Sequence, residues 1–166
     1  MANNCYNWIQ MYGDNLTQVN KMLDEAVKRN NEGYGWLPSE REFNHLSYVH
    51  YLFSIEDYDK GDNPSRFMCW TKWSPPIEEL KIISTMHPNV EFYMQWEECG
   101  NQLYGRCVIK DGVILHRIDL TPEEVNRVQY DEDSGVYLFT QDDGTIEYCE
   151  SDTEIYEELL DDKQTW

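Results

Sequence analysis

The stretch "WTKWSPPIEELKIISTMHPNVEFYMQWEECGNQLYGRCVIKDGVI", Trp70 to Ile114, carries most of the information about the fold. Its centre predicts a helix entered through two prolines, with Ser74 as the N-cap. Two strand-like segments follow at 89–98 and 103–110, and Asp111-Gly112 then predicts a tight turn into a strand over 113–120. The apolar positions of the helix recur at helical spacing: Ile77, Leu80, Ile83 and Met86.

The N-terminal part supplies the first half of the same pattern. "CYNWIQMY" (Cys5–Tyr12) predicts a strand, and a helix follows from Leu16 to about Arg29 with Asn15 as its cap. The next region is ambiguous, because a capping pair at Ser39 and Glu42 indicates a helical turn whereas 47–55 favours a strand. With a further strand at 66–73, the order becomes strand, helix, strand, strand, helix, strand. This order predicts an α+β fold, the ferredoxin-like split β-α-β sandwich with an antiparallel sheet.

The same central stretch resembles a known family, the YubB-type ferredoxin-like domain of small phage- and plasmid-encoded proteins. The shared features are "WSPP" at the start of the helix (Trp73–Pro76), the break at Pro88, and Gly105 in the strand before the Asp-Gly turn. A weaker match covers Cys5–Gly13. The resemblance implies the fold and an origin in a mobile element. It brings no catalytic motif that could be placed on these residues.

The last third predicts an appendage to this core. Thr121, Pro122 and Glu124 form a capping-box pattern, which indicates a short helix to about Val128. The segment 135–150 predicts a hairpin that turns at Asp143-Gly144. A two-residue loop would place four apolar residues on one face: Tyr137, Phe139, Ile146 and Tyr148. Ser151 and Glu154 then predict the start of a final acidic helix. We therefore expect a core over 1–120 and an acidic extension over 121–166.

The charge of the chain limits its partners. Its 32 acidic and 13 basic residues give a formal net charge of −19. That field opposes direct binding of nucleic acid and of anionic membranes, and it favours cationic partners. From Asp111 onward there are 17 acidic and three basic residues, a net of −14. The C-terminal part is therefore the candidate binding region.

Ten acidic residues of the extension form the predicted partner-binding surface. On the final helix they lie opposite the apolar positions, and an ordinary solvated helix face would carry more compensating bases. We therefore expect a host protein with a basic, nucleic-acid-binding surface as the partner. The candidate residues are Asp131, Glu132, Asp133, Asp142, Asp143, Glu154, Glu157, Glu158, Asp161 and Asp162.

The sequence thus favours a non-enzymatic acidic binding protein of a phage or other mobile element. The most specific version of this prediction is a DNA-mimicking inhibitor of a host defence system, that is, an anti-CRISPR or anti-restriction protein. The alternative is a structural or assembly module whose acidity serves only solubility, and a homodimer fits either function. Five scattered cysteines without C-x-x-C pairing and the lack of a hydrophobic leader favour a location in the bacterial cytoplasm.

No pattern indicates catalytic residues, a cofactor or a defined metal site. Nucleophile-elbow, phosphate-loop and zinc-protease motifs are missing from the sequence. "DEDSG" departs from the spacing of a calcium loop, which leaves only loose cation binding by the acids at 131, 133, 142 and 143. Four aromatics could instead form a base-stacking platform, although core packing explains them better: Trp70, Trp73, Tyr93 and Trp96.

Overall fold

The structure is a computed structural model that describes residues 4–31, 54–61 and 63–163. Over these residues the chain forms nine strands and four helices. In chain order they are β1 (Asn4–Tyr12), α1 (Thr17–Asn31), β2 (Ser54–Asp59), β3 (Ser65–Lys72), α2 (Ile77–Met86), β4 (Glu91–Glu98), β5 (Leu103–Lys110), β6 (Val113–Asp119), α3 (Pro122–Val125), β7 (Val128–Asp131), β8 (Val136–Thr140), β9 (Ile146–Cys149) and α4 (Asp152–Asp162).

The main sheet has six strands in the order β2-β3-β1-β4-β5-β6, and each neighbouring pair is antiparallel. The four strands β2, β3, β1 and β4, together with α1 and α2, have the topology of a ferredoxin-like split β-α-β fold. The predicted fold class is therefore confirmed. Strands β5 and β6 widen this sheet on the side of β4. No helix of the described residues is long and apolar enough to cross a membrane.

One face of the main sheet packs against α1 and α2. Strands β1 and β4 alternate along their length, so that every second side chain enters this core. Helix α2 contributes Leu80 and Ile83 as predicted, whereas Met86 is exposed and was placed wrongly on the buried face. The remaining principal core residues are Ile9, Met11, Val19, Leu23, Phe67, Phe92, Met94, Trp96 and Ile109.

A second core joins the C-terminal unit to strands β5 and β6. Strands β7, β8 and β9 form a separate three-stranded sheet, and α4 packs between this sheet and β5. The residues of the shared core come from both sides: Tyr104, Leu120, Val125, Tyr156 and Leu160. The predicted division at residue 120 therefore falls inside a continuous packed interface.

The predicted N-cap of α2 is wrong. Pro76 occupies the N-cap position, and the carbonyl oxygen of Ser74 accepts a hydrogen bond from the hydroxyl of Thr71 at 2.6 Å. A residue that precedes proline avoids the helical conformation, so the Pro75-Pro76 pair delays the helix until Ile77. The preceding strand ends at Lys72, one residue early, because Trp73 has a positive φ of 74°.

Two predictions for the last third also need correction. The helix that follows Thr121 ends at Val125, and 128–131 form the unpredicted strand β7, although the capping box of Thr121 and Glu124 is present. The β8–β9 hairpin has a three-residue loop, and Phe139 pairs with Glu147 rather than Tyr148. This shift by one residue turns Ile146 and Tyr148 to the opposite face from Tyr137 and Phe139.

The ambiguous region before β2 is only partly described. The capping pair at Ser39 and Glu42 and most of the strand predicted over 47–55 lie outside the described residues. The strand that is described, β2, runs from Ser54 to Asp59 and so continues beyond the predicted end at Ile55. Helix α1 agrees with prediction, and the side-chain oxygen of Asn15 accepts a hydrogen bond from the backbone N–H of Thr17 at 3.0 Å.

Substitution of Gly105 by alanine tests the packing of β5 against β4. A Cβ atom there would overlap Cζ2 of Trp96 and would lie 2.6 Å from the carbonyl oxygen of Ile118. We expect Gly105→Ala to lower the free energy of unfolding by about 1–3 kcal/mol, as overpacking does, in urea titrations. Gly144→Ala is the control, since it meets no atom within 4 Å and incurs only the cost of its positive φ. Equal losses for both variants would contradict this packing.

Candidate functional site

The two predicted acidic turns lie at opposite ends of strand β8. Asp131, Glu132 and Asp133 belong to the β7–β8 turn, and Asp142 and Asp143 to the β8–β9 turn. Five strand residues separate these turns, which corresponds to about 17 Å. The two sets therefore do not converge, and the idea of loose cation binding by both together is wrong. Among the described residues, no three His, Cys, Asp or Glu side chains are placed to hold a metal ion.

Several of these turn acids have local roles. Asp131 accepts hydrogen bonds from the backbone N–H of Asp133 and from the hydroxyl of Ser134, and the latter bond lowers its pKa. The backbone N–H and the hydroxyl of Thr145 both donate to Asp143, which lowers the pKa of that carboxyl as well. These bonds close the turns. The charges remain exposed, but their positions are set by turn geometry.

The acids of α4 fall into two groups. Glu154 and Glu158, one turn apart, lie on the side of strand β9. There they meet Glu147: burial, followed by the charges of Glu147, Glu154 and Glu158, raises the pKa of the Cys149 thiol. We call these three exposed acids the β9–α4 acidic patch, and Glu147 also lines a depression with Asp142 and Asp143 of the β8–β9 turn. Asp162 is exposed at the end of the same helix.

The second group, Glu157 and Asp161, holds α4 on the sheet. The guanidinium of Arg106 on β5 donates to Asp161 Oδ1 at 2.5 Å and to the carbonyl oxygen of Glu157 at 3.3 Å. Gln95 on β4 donates to Glu157 Oε1 at 3.1 Å. The Arg106 residue is only 4% exposed, so this pairing offsets the cost of burying its charge. Two predicted partner-binding residues therefore have an internal structural role that the sequence did not reveal.

The three bases of the C-terminal part are all engaged by acids. Arg117 pairs with Asp119 at 2.7 Å, Arg127 with Asp142 at 3.0 Å, and Lys163 with Glu124 at 2.6 Å. Desolvation of Glu124 is outweighed by its hydrogen bonds with Lys163 and Thr121, so its pKa is lowered. None of these three pairs includes an acid of the β9–α4 acidic patch. The bases of the C-terminal part are thus paired with other carboxylates.

The open face of the main sheet, opposite α1 and α2, holds a groove that sequence reasoning missed. Its floor is formed by β1 and β4 and one wall by α4, and it encloses about 320 Å³. We call it the sheet groove; it is lined by Trp8, Gln10, Tyr93, Gln95, Thr153 and Glu157. A depression of about 330 Å³ continues it past Tyr12 toward Arg106 and Asp161.

The aromatics expected in the core divide between the two faces of the sheet. Trp96 is buried in the core as predicted, whereas Tyr93 and Trp70 lie half-buried on the open face and Trp73 is exposed. Core packing is therefore the wrong explanation for the last three. The sequence did contain a signal for an open face that carries aromatic side chains. In "YNWIQMY" (6–12), large side chains recur at every second residue and thus share one face.

The neighbouring carboxylates Glu97 and Glu98 illustrate why adjacent acids on a strand do not act together. Glu98 is fully buried and accepts hydrogen bonds from the backbone N–H groups of Gly100 and Asn101 at 3.1 and 2.6 Å. Glu97 lies on the open face, where burial raises its pKa and where it accepts from the Cys99 thiol at 3.2 Å. Glu98 therefore closes the β4–β5 turn, whereas Glu97 faces α4.

The site and the fold together define an α+β protein of the ferredoxin-like class, with helices on one face of the sheet and an acidic unit on the other. Residues 51–140 match the family model of the ferredoxin-like domain in Api92-like proteins. This match covers more than half of the chain, which therefore belongs to that family. Neither the curated proteins nor the solved structures include a significant match to it.

Replacement of Asp161 by asparagine tests its structural role. The change leaves the buried guanidinium of Arg106 without its counter-charge, although the exposure of Asp161 moderates the cost. We expect Asp161→Asn to lower the free energy of unfolding by about 1–2 kcal/mol in urea titrations. Asp162→Asn is the matched control, and it should be neutral or slightly stabilising because it relieves repulsion on an acidic helix. The same small effect from both changes would show that the ion pair does not hold α4.

Cys99 provides a test of the environment beside Glu97. Burial and the hydrogen bond to Glu97 raise the pKa of its thiol to about 11. Its alkylation by iodoacetamide, followed by peptide mapping, should therefore keep rising roughly tenfold per pH unit above pH ~9, where an ordinary thiol levels off. Glu97→Gln should accelerate the reaction at pH ~8, because it removes the neighbouring negative charge. A plateau at pH ~9 in the unmodified protein would contradict this assignment.

Proposed function

We propose that this chain is a non-enzymatic binding protein whose acidic C-terminal unit contacts a basic surface of a partner protein. The observation that carries the proposal is the β9–α4 acidic patch: Glu147, Glu154 and Glu158 are exposed on two elements that pack together, and after burial their charges raise the pKa of the Cys149 thiol. Like charges brought together in this way lower the stability of the free protein and favour a cationic partner. Burial raises the pKa of Cys99 to about 11 and that of Cys107 to about 12, which disfavours either thiol as a nucleophile at neutral pH.

In its specific form, the proposal is that the partner's basic surface is one that otherwise holds nucleic acid. The chain would then be a DNA-mimicking inhibitor of a host CRISPR or restriction system, encoded by a phage or plasmid and acting in the bacterial cytoplasm. The resemblance to YubB-type proteins supports this origin. The β7–β8 turn lies at the far end of β8, whereas Asp142 and Asp143 of the β8–β9 turn line one depression with Glu147. The mimicry would therefore rest on the β8–β9 turn, the β9–α4 acidic patch and α4 itself.

A second function is favoured by the outer face of the three-stranded sheet. Tyr148 is 70% exposed and Ile146 is 54% exposed, and both project from β9 on this face. Exposed apolar side chains of this kind mark protein contacts when they cluster. Self-association through this face would fit a structural or assembly module of the mobile element, as a homodimer or a larger array.

The test is capture of bacterial host proteins on the immobilised chain, followed by competition. We expect a DNA-binding partner that duplex DNA displaces and that is released as NaCl rises from about 0.05 to about 0.5 M. The double variant Glu154→Lys/Glu158→Lys should weaken this capture roughly tenfold, because it reverses two of the three converging charges. Retention that is insensitive to salt, DNA and the variant would contradict the proposal, and self-association alone would favour the assembly module.

The matched control changes net charge equally at a distant place. Asp14→Lys/Glu25→Lys alters the formal charge by the same amount, and both residues are exposed around α1, on the helical side of the sheet. If the local patch binds the partner, this control should lose much less affinity than the α4 variant. Equal losses would mean that only the overall field matters, and the assignment of the patch as the binding surface would be wrong.

A further inference from the structure

The sheet groove carries a more specific inference, which rests on the proposed function because it concerns the same basic partner. We propose that the groove receives an arginine side chain from a basic segment of that partner. The aromatic faces of Trp8 and Tyr93 would flank the guanidinium, and the carboxylate of Glu157 would pair with it. The proposal stands on the composition of the groove, its dimensions and its charge.

The composition of the groove suits a planar cation. Trp8 is 37% exposed and Tyr93 is half-buried, so both rings present surface to the groove. Aromatic faces attract cations, and tryptophan does so most strongly. The side-chain oxygens of Gln10 and Gln95 add acceptors for the N–H groups of a guanidinium. Gln10 Oε1 already accepts from the Tyr12 hydroxyl, and Gln95 donates to Glu157, so a guanidinium would use the remaining lone pairs of these oxygens.

The positions of the two rings suit one flat group. Trp8 is paired with Gln95 and Gln10 with Tyr93, so Trp8 and Tyr93 are diagonal neighbours across β1 and β4. Diagonal neighbours of this kind lie within reach of large side chains, and both residues line the same groove, so one group bound there can contact both rings. Arginine is planar and stacks on rings, whereas the ammonium of lysine is a compact point charge.

The charges that face the groove favour a cation. Glu157 lies in the groove, and its Oε1 already accepts from Gln95, which fixes the orientation of the carboxylate. Arg106 at the far end is ion-paired with Asp161, so it adds little net charge. On the same face, β3 offers the exposed bases Lys72 and Arg66, and Arg66 lies directly opposite Gln10 on β1, at the edge of the groove. Two bases are too few to hold a phosphate backbone against the overall negative field, so we place a basic protein segment in the groove rather than single-stranded nucleic acid.

The experiment uses three short blocked peptides that differ at one central residue: arginine, lysine or citrulline, which keeps the plane of arginine and lacks its charge. Binding to the full chain is followed by the NMR shift of the Trp8 indole N–H, assigned by its loss in Trp8→Leu. We expect the arginine peptide to bind at least about threefold more tightly than the lysine peptide and about tenfold more tightly than the citrulline peptide.

The variants isolate each part of the site. Glu157→Gln keeps an oxygen for Gln95 and removes only the charge, so it should weaken the arginine peptide about five- to tenfold. Trp8→Leu should weaken binding of the arginine peptide at least about threefold, as measured by the chemical shifts of Tyr93. The controls are Glu25→Gln, exposed on α1 at the other side of the sheet, and Trp73→Leu, an exposed tryptophan outside the groove; each should stay within about twofold. Dispersed amide spectra confirm that every variant is folded.

Three results would overturn the proposal: equal binding of the citrulline peptide, no effect of Glu157→Gln, or shifts of Trp8 with a single-stranded oligothymidine and none with the arginine peptide. The last would make the groove a base-stacking surface. If only the groove proposal is wrong, capture of the partner is still weakened by Glu154→Lys/Glu158→Lys but is unchanged by Trp8→Leu. Failure of the proposed function alone would leave capture insensitive to DNA and salt while the arginine peptide still binds.

Discussion

The ring of Tyr156 stacks on the ring of Tyr104 with 3.8 Å between their centroids, and this contact fixes α4 on the open face of the sheet. Tyr104 belongs to β5 and is nearly buried, so the helix cannot slide along the strand without exposing both rings. Leu160 and Val125 complete the same small core. The position of every acid on α4, and of the wall that α4 forms along the sheet groove, follows from this one packed pair and the residues around it.

Arg106 makes this arrangement compatible with the charge of the helix. A helix that carries this many acids destabilises itself by repulsion, and the negative end of its dipole adds to the effect near Asp161. A buried guanidinium placed against the last turn compensates both. Part of the compensation that the sequence assigned to a partner is therefore supplied within the chain. The ion pair of Arg106 with Asp161 does not include the acids of the β9–α4 acidic patch, and the proposed function therefore rests on that patch.

Local rules predicted the central elements because their signals are contained within a few residues. Strand β5 occurs at the predicted residues, and the Asp111-Gly112 turn has the two positive φ values that a tight hairpin needs. The β8–β9 hairpin failed by one residue, although Gly144 has a positive φ of 84°. A two-residue loop and a three-residue loop can both place Gly144 at a position with positive φ. Which loop forms depends on the pairing of β8 with β7. Strand β7 was itself missed because four residues after a capping box carry too little periodicity.

Long-range pairing decided the features of the site that the sequence could not predict. Arg106 and Asp161 are 55 residues apart, and nothing local to either one indicates the partner. Likewise, the wall and the floor of the sheet groove come from segments that meet only after the sheet has formed. The alternation at Tyr6, Trp8, Gln10 and Tyr12 is visible in the sequence. Whether these side chains lie in the core or on the open face depends on which face of β1 the helices cover.

Helix α4 therefore separates two surfaces that a single partner would have to reach together. Its 11 residues span about 16 Å, with Glu154 and Glu158 on one flank and Thr153 and Glu157 on the other. A flat basic surface laid on the patch would meet the exposed carboxylates but would leave the groove empty. A partner that fills both must place an arginine-bearing segment over the helix and down into the sheet. An extended loop fits this shape better than the face of a helix, because the reach over α4 requires a chain that bends within a few residues.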